Sequence, residues 1–249
     1  MLFTLLQAGY YAEPASGAAH YSAATMGMFV LIIVIGIAGY AVQARLQSVF
    51  RKYSKVQFPG GLTGAEVAEK MLRDNNIHNV KVTHVGGNLT DHFNPQTMTV
   101  NLSDSVYSSN SVAAAAVAAH ECGHAVQHAE EYGPLKLRSA IIPITNIGSS
   151  LSIPIFFIGL LFNYTLLMNI GILLFGLVAL FQLITLPVEF NASRRALATI
   201  EERALLTEDE ARGAKKVLSA AALTYVAALA STLAQLLRLI IISRGNRRN

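Results

Sequence analysis

Apolar residues gather into four long runs with polar stretches between them. One run spans Ala24–Val42. Two more fill residues 139–188, where no Asp, Glu, Lys or Arg occurs. The last spans Val217–Ile242 and contains Arg238 near its end. A helix crossing a bilayer needs roughly 20 apolar residues. The uncharged stretch therefore predicts two membrane helices joined by a tight turn at Asn163-Tyr164. Arg238 is close enough to the end of its run for a long side chain to reach the interface.

Between the first and second runs the period of the pattern changes. Thr63 and Glu66 form a capping-box pattern and predict a helix from there to about Asn75. The segments "NVKVTHV" and "QTMTVNLS" alternate and favour β-branched residues, so they predict two strands. "GGNLTDHFNP" between them is rich in turn residues and reads as a loop. A helix follows from about Ser111 through Glu130, with an alanine-rich first half and Pro134 just beyond it. Downstream, a helix is predicted from near Pro187 to about Leu205. Thr207 and Glu210 form a second capping box that opens the last helix.

Composition agrees with lipid as a solvent. The chain has 249 residues, of which 53% are hydrophobic and only 14% charged; a soluble domain carries about 25% charge. The net charge of +4 matters less than its placement. Residues 1–44 contain no Lys or Arg, whereas Arg45, Arg51, Lys52 and Lys55 follow directly. The positive-inside rule then puts the N-terminus outside and residues 45–138 in the cytoplasm. Residues 189–216 return to the same side and carry six Lys/Arg. The fourth run sends "SRGNRRN" outward, against that rule, unless the last helix stops short. The basic residues serve orientation in this reading, so nucleic acid is not expected as a partner. The single cysteine, Cys122, forms no intrachain disulfide, in keeping with a reducing compartment. "MLFTLLQAGYYAEP" lacks the basic start of a cleavable signal peptide.

The chemistry concentrates in "HECGHAVQH". His120-Glu121-Cys122-Gly123-His124 has the form H-E-x-x-H. On a helix, residues i and i+4 share a face, so two imidazoles there can hold one zinc ion. Glu121 then flanks the open position as general base, the arrangement used for metal-assisted peptide hydrolysis. His128 is two turns from His120, and each four-residue step rotates about 40°, so it is badly aimed as a third ligand. It reads as a residue supporting the site. Glu189, which ends the uncharged stretch, is the best candidate for the third ligand. A carboxylate so near the bilayer is costly unless paired or metal-bound. Ser193 shares its face, and Arg194 and Arg195 follow, either orienting ligands and stabilising the transition state or simply setting topology. His92 lies in the loop between the predicted strands, as a candidate for the transition state or as a surface histidine. Tyr225 reads most simply as a packing residue. Peptide substrate is expected to lie along an edge strand at Gln96–Leu102.

Four blocks together carry a resemblance: "LTDHFNPQTMTVNLS", "SVAAAAVAAHECGHAVQHAEEYGPLKLRSAIIP", "TLPVEFNASRRAL" and "VLSAAALTYVAAL". The chain resembles the YugP-like neutral zinc metallopeptidases of bacterial membranes. The resemblance implies one zinc ion held by His120, His124 and Glu189, with Glu121 as general base. It also implies a gluzincin-like core distantly similar to HtpX-type peptidases. Where that family's pattern carries an aspartate, this chain has Asn191, whose carbonyl accepts a hydrogen bond without the charge. Where the more distant relatives have Glu-x-x-x-Asp, this chain has Ser193.

The expectation is a mainly α membrane protein: about four transmembrane helices plus a small α+β catalytic core with a short sheet and the H-E-x-x-H helix. The division runs as follows: 1–44, N-terminal segment and first membrane helix; 45–138, cytoplasmic core; 139–188, membrane hairpin; 189–216, cytoplasmic helix with the third ligand; 217–249, final helix and tail. The function expected is an integral membrane zinc endopeptidase acting on peptides or membrane proteins. The alternative is a non-catalytic zinc-binding membrane scaffold.

Overall fold

The computed structural model describes residues 23–57, 60–203 and 205–246. The readings made for the N-terminal segment up to residue 22 and for the last three residues lie outside the described residues. The elements are α1 (Ala23–Tyr53), α2 (Gly64–Asp74), β1 (Lys81–Val85), β2 (His92–Asn94), β3 (Thr99–Ser103), α3 (Val112–Ala129), α4 (Gly133–Leu161), α5 (Thr165–Glu202) and α6 (Glu208–Asn246). The structure is mainly helical with one small sheet, as the sequence predicts.

Among the described residues, four helices are long and apolar enough to cross a membrane: α1, α4, α5 and α6. Their outer faces expose large apolar side chains such as Val30, Ile33, Ile147 and Leu173. Water penalises so large an apolar surface, whereas hydrocarbon accepts it. α4 and α5 form the expected hairpin. Its turn passes through Asn163 at φ 51°, a left-handed conformation that asparagine tolerates better than most residues. At the far end of α6, Asn246 donates from Nδ2 to Asn163 Oδ1 at 2.7 Å, so the last helix extends as far as the hairpin turn. Arg238 stacks on the Phe29 ring of α1, 5.6 Å from its centroid.

The other end of the molecule carries the mixed core. Thr63 caps α2 and Glu66 completes the box, with Thr63 N–H donating to Glu66 Oε2 at 2.7 Å. Thr207 and Glu210 do the same for α6. Ser111 caps α3 by accepting from Ala114 N–H at 3.2 Å. The alanine run of α3 is buried almost throughout, against Val67 and Met71 of α2, Val100 and Leu102 of β3, and Ala196 and Ile200 of α5. Small side chains let these elements approach α3 from several sides, which fixes the H-E-x-x-H helix at the centre of the core.

Three sequence expectations need correction. The segment read as a loop contains a strand: β2 pairs antiparallel with β3, giving a three-stranded sheet in the order β1-β3-β2. His92 therefore lies on a strand. β3 is also the central strand, paired in parallel with β1 on its other side. The predicted substrate edge at Gln96–Leu102 is thus unavailable, and the free edges belong to β1 and β2. Second, no new helix starts near Pro187. α5 runs unbroken from the hairpin turn to Glu202 with Pro187 inside it. Proline only removes the hydrogen bond to the Leu183 carbonyl, a loss that packed membrane helices tolerate. Third, Pro134 opens a helix as much as it follows one. It sits in the first turn of α4, after a sharp turn in which Glu131 has φ 55°.

Candidate metal centre

α3 presents His120 and His124 on one face, with ring centroids 4.8 Å apart and planes nearly perpendicular. α5 crosses this face and delivers Glu189. Glu189 Oε2 lies 3.3 Å from His120 Nε2 and 3.6 Å from His124 Nε2. One ligand atom from each of the three residues falls within 4.8 Å of the others. Glu189 is only 2% exposed, so its charge is held by these neighbours and by Arg138, whose guanidinium lies 3.4 Å from Oε1. Arg138 and Glu189 are the two charges that bracket the uncharged stretch, and the hairpin brings them together.

The outer ring nitrogens show which way the imidazoles face. Gln127 donates from its amide nitrogen to the Val188 carbonyl at 2.8 Å and to Asn191 Oδ1 at 2.9 Å. Those two acceptors fix the amide, leaving Gln127 Oε1 to accept from His124 Nδ1 at 3.0 Å. His120 Nδ1 pairs with the Ser193 hydroxyl at 3.1 Å. With Nδ1 carrying the hydrogen, the neutral His124 ring turns its Nε2 lone pair toward Glu189, and His120 does the same when the Ser193 hydroxyl accepts from its Nδ1. Two lone pairs and a carboxylate converging on one point repel unless a proton or a metal ion sits among them. That donor set, two imidazole nitrogens and one carboxylate, suits zinc. Burial disfavours the His124 imidazolium, but the Glu189 hydrogen bond and the charges of Glu121 and Glu189 outweigh it and raise the His124 pKa above the ordinary histidine value. Protons and metal thus compete for the same nitrogen.

The support extends outward from Asn191. Its Oδ1 also accepts from Arg195 Nε at 2.7 Å, and Arg195 pairs with Glu130 at 2.6 Å. Replacing Gln127 by leucine removes the acceptor on His124 Nδ1 and is expected to weaken zinc binding by about 10–100-fold. Competition against a chelator of known affinity measures this.

Glu121 is nearly buried, and its Oε2 accepts from the Phe93 N–H of β2 at 3.0 Å. This bond ties the free edge of the sheet to α3. A cleft of about 230 Å³ opens here, lined by His120, Glu121, His124, Glu189, Arg138 and Tyr225. Gly123 permits the geometry: a Cβ there would lie 2.6 Å from the Ala192 carbonyl oxygen of α5. Gly123→Ala is expected to push α3 from α5, costing about 1–3 kcal/mol of stability and lowering zinc content. Thermal unfolding and metal analysis of the variant check both. Cys122 points the other way, its thiol 3.5 Å from the Ala68 carbonyl of α2. Burial pushes its pKa up, which disfavours the thiolate a metal would need.

The remaining residues singled out from the sequence fall into two groups. Ser193 stands directly behind His120, and Asn191 stands behind His124 through Gln127. His92 and His128 line the cleft without joining the converging atoms. His92 bonds to the Thr90 carbonyl at 2.9 Å and to Asn101 at 3.2 Å, and His128 leans on the Phe93 ring at 5.7 Å. Arg194 stands apart: it is exposed and lines a separate groove between α5 and α6. The arginines that reach the site are Arg138 directly and Arg195 through Asn191. Arg138, Gln127 and the placement of Tyr225 at the cleft are not anticipated from the sequence. For Arg138 the signal was present, as the last charge before the uncharged stretch.

Residues 28–244 match the family model described as "Putative neutral zinc metallopeptidase". The chain is 46% identical over 220 residues to the "Putative membrane protease YugP" of Bacillus subtilis (strain 168), covering 88% of this chain and 97% of that protein. No solved structure matches. Matched over most of its length by both, this chain belongs to the putative neutral zinc metallopeptidase family.

Proposed function

We propose that the protein is an integral membrane endopeptidase that holds one zinc ion between His120, His124 and Glu189 and uses Glu121 as its general acid–base. The observation that carries this reading is the convergence of two imidazoles and a buried carboxylate beside a second carboxylate, all facing one cleft. Among the described residues the group has three members, which suits an open, catalytic site better than a closed, structural one. Zinc bound there supplies Lewis acidity, polarising a carbonyl and bringing the pKa of water to about 7.

The chain's own residues do the rest. Glu121 accepts the proton of the attacking water and passes it to the departing amine nitrogen. Gln127 and Ser193 hold the two imidazoles with their Nε2 atoms inward. Arg138 shares the charge of Glu189 and stands where negative charge develops on the substrate carbonyl. A peptide in extended form runs beside β2, whose outer edge borders the cleft. In this reading residues 45–138 and 189–216 stand on the cytoplasmic side, residues 139–188 form the membrane hairpin, and α1 and α6 complete the anchor. The protein purified in detergent is expected to cleave an unfolded protein, to stop on chelation and to recover with zinc. Cleavage unaffected by complete removal of metal would overturn the reading.

A further inference from the structure

The cleft extends past the metal group in both directions, and its two walls run in the same order. At one end Val117 of α3 faces Leu89 ahead of β2. In the middle His120, Glu121 and His124 face Asp91 to Phe93. At the other end Gln127 and His128 face Pro95. A groove bordered in parallel by a helix and a strand edge suits an extended chain.

The two ends differ in chemistry. The Gln127 end is lined by polar and charged groups, with Glu131 and Lys136 paired to each other at 2.8 Å. The Val117 end leads into a half-open chamber of about 180 Å³ between three helices. Leu46 and Phe50 of α1, Val117 of α3, and Val217, Leu218 and Ala221 of α6 line it. Its polar lining residues are Asp91, His120, Glu121, Thr224 and Tyr225. Thr224 donates its hydroxyl to the Ala221 carbonyl at 2.6 Å. Asp91 accepts from the Ser103 N–H at 2.7 Å and the Ser103 hydroxyl at 2.9 Å. Apolar side chains make up most of the lining, and the carboxylates of Asp91 and Glu121 repel an acidic side chain. An apolar cavity of about 150 Å³ in another protein accommodates benzene, so this chamber has room for an aromatic ring.

We infer that this chamber is the specificity subsite, taking one bulky apolar side chain of the peptide (Phe, Leu or Met) immediately beside the bond that is cut. The adjacency follows from shared walls: His120 and Glu121 line both the chamber and the metal cleft. The inference rests on the hydrolytic reading for the word "cut", but the selection is a binding property in its own right. It also makes α1, otherwise an anchor, part of the substrate-binding surface.

The test uses full-length Glu121→Gln protein, loaded with zinc in detergent, and fluorescent peptides that differ at one position. Phenylalanine and leucine peptides are expected to bind at least about tenfold more tightly than the alanine peptide, and the aspartate peptide most weakly. Ala221→Leu in the same background fills the chamber. It is expected to abolish the phenylalanine preference while the alanine peptide still binds and zinc content holds. Leu46→Ala enlarges the chamber from α1 and is expected to shift preference toward tryptophan, so the inference stays testable if Ala221→Leu does not fold. Equal binding of the phenylalanine, alanine and aspartate peptides overturns the inference, as does a phenylalanine preference unchanged in the chamber variants. Cleavage by the wild-type protein without an apolar preference defeats the subsite alone. Selective binding without any cleavage defeats the hydrolytic reading alone.

Discussion

Glu121→Gln is expected to lower the turnover of peptide hydrolysis by about 10²–10⁴-fold, the range carried by a positioned general base, with zinc still bound. The substitution is close to isosteric. A glutamine carbonyl can accept the Phe93 N–H that Glu121 now accepts at 3.0 Å, so the link between β2 and α3 survives. Glu121 is not among the three converging ligands, so metal content should match that of the wild-type protein. The loss should appear in kcat and not in peptide affinity, because the amide changes only the capacity to take a proton. Turnover comparable to wild type in the zinc-loaded variant would remove Glu121 from the mechanism.

Glu189→Ala is expected to have the largest effect on metal. Substitutions behind a ligand cost about 10–100-fold in affinity, and loss of a ligand itself should exceed that. The consequence can be read without any activity. Wild-type protein held at zinc concentrations about a hundredfold above Kd gains roughly 2.7 kcal/mol of stability by mass action, which shows as a rise in Tm. The variant should gain little at the same concentration. Its metal-free form should also be less stable than the metal-free wild type, because Arg138, with 27% of its side chain exposed, loses the carboxylate 3.4 Å away. A Glu189→Ala protein that binds zinc as tightly as wild type would mean that the third ligand lies elsewhere.

What the sequence makes legible follows from the range of each interaction. H-E-x-x-H is a local pattern, and helical periodicity alone puts His120 and His124 on one face. The caps at Thr63 and Thr207 are equally local. Glu189 stands out because a charge next to the bilayer demands a partner, though which partner is a tertiary fact. β2 is illegible for the same reason. It has three residues, too few for a period, and Asp91 beside it is held by Ser103, twelve positions away. The arginines show how helix phase decides a role. Arg194 follows Glu189 by five residues and lies about 140° round α5 from it, so it faces away. Arg195 comes round to Asn191 and Glu130 on the side of α3. The continuity of α5 through Pro187 escapes a local reading because proline's local penalty is set against the packing of the whole helix.

The central claim is that α3 and α5 together build an open zinc site. Diffraction from zinc-loaded crystals of the Glu121→Gln protein, recorded on both sides of the zinc absorption edge, tests it directly. The account requires one strong anomalous peak bounded by His120 Nε2, His124 Nε2 and the Glu189 carboxylate, with no fourth protein ligand and with the open side toward residue 121. A peak at any other place, or one closed by a fourth side chain such as His128, would contradict it.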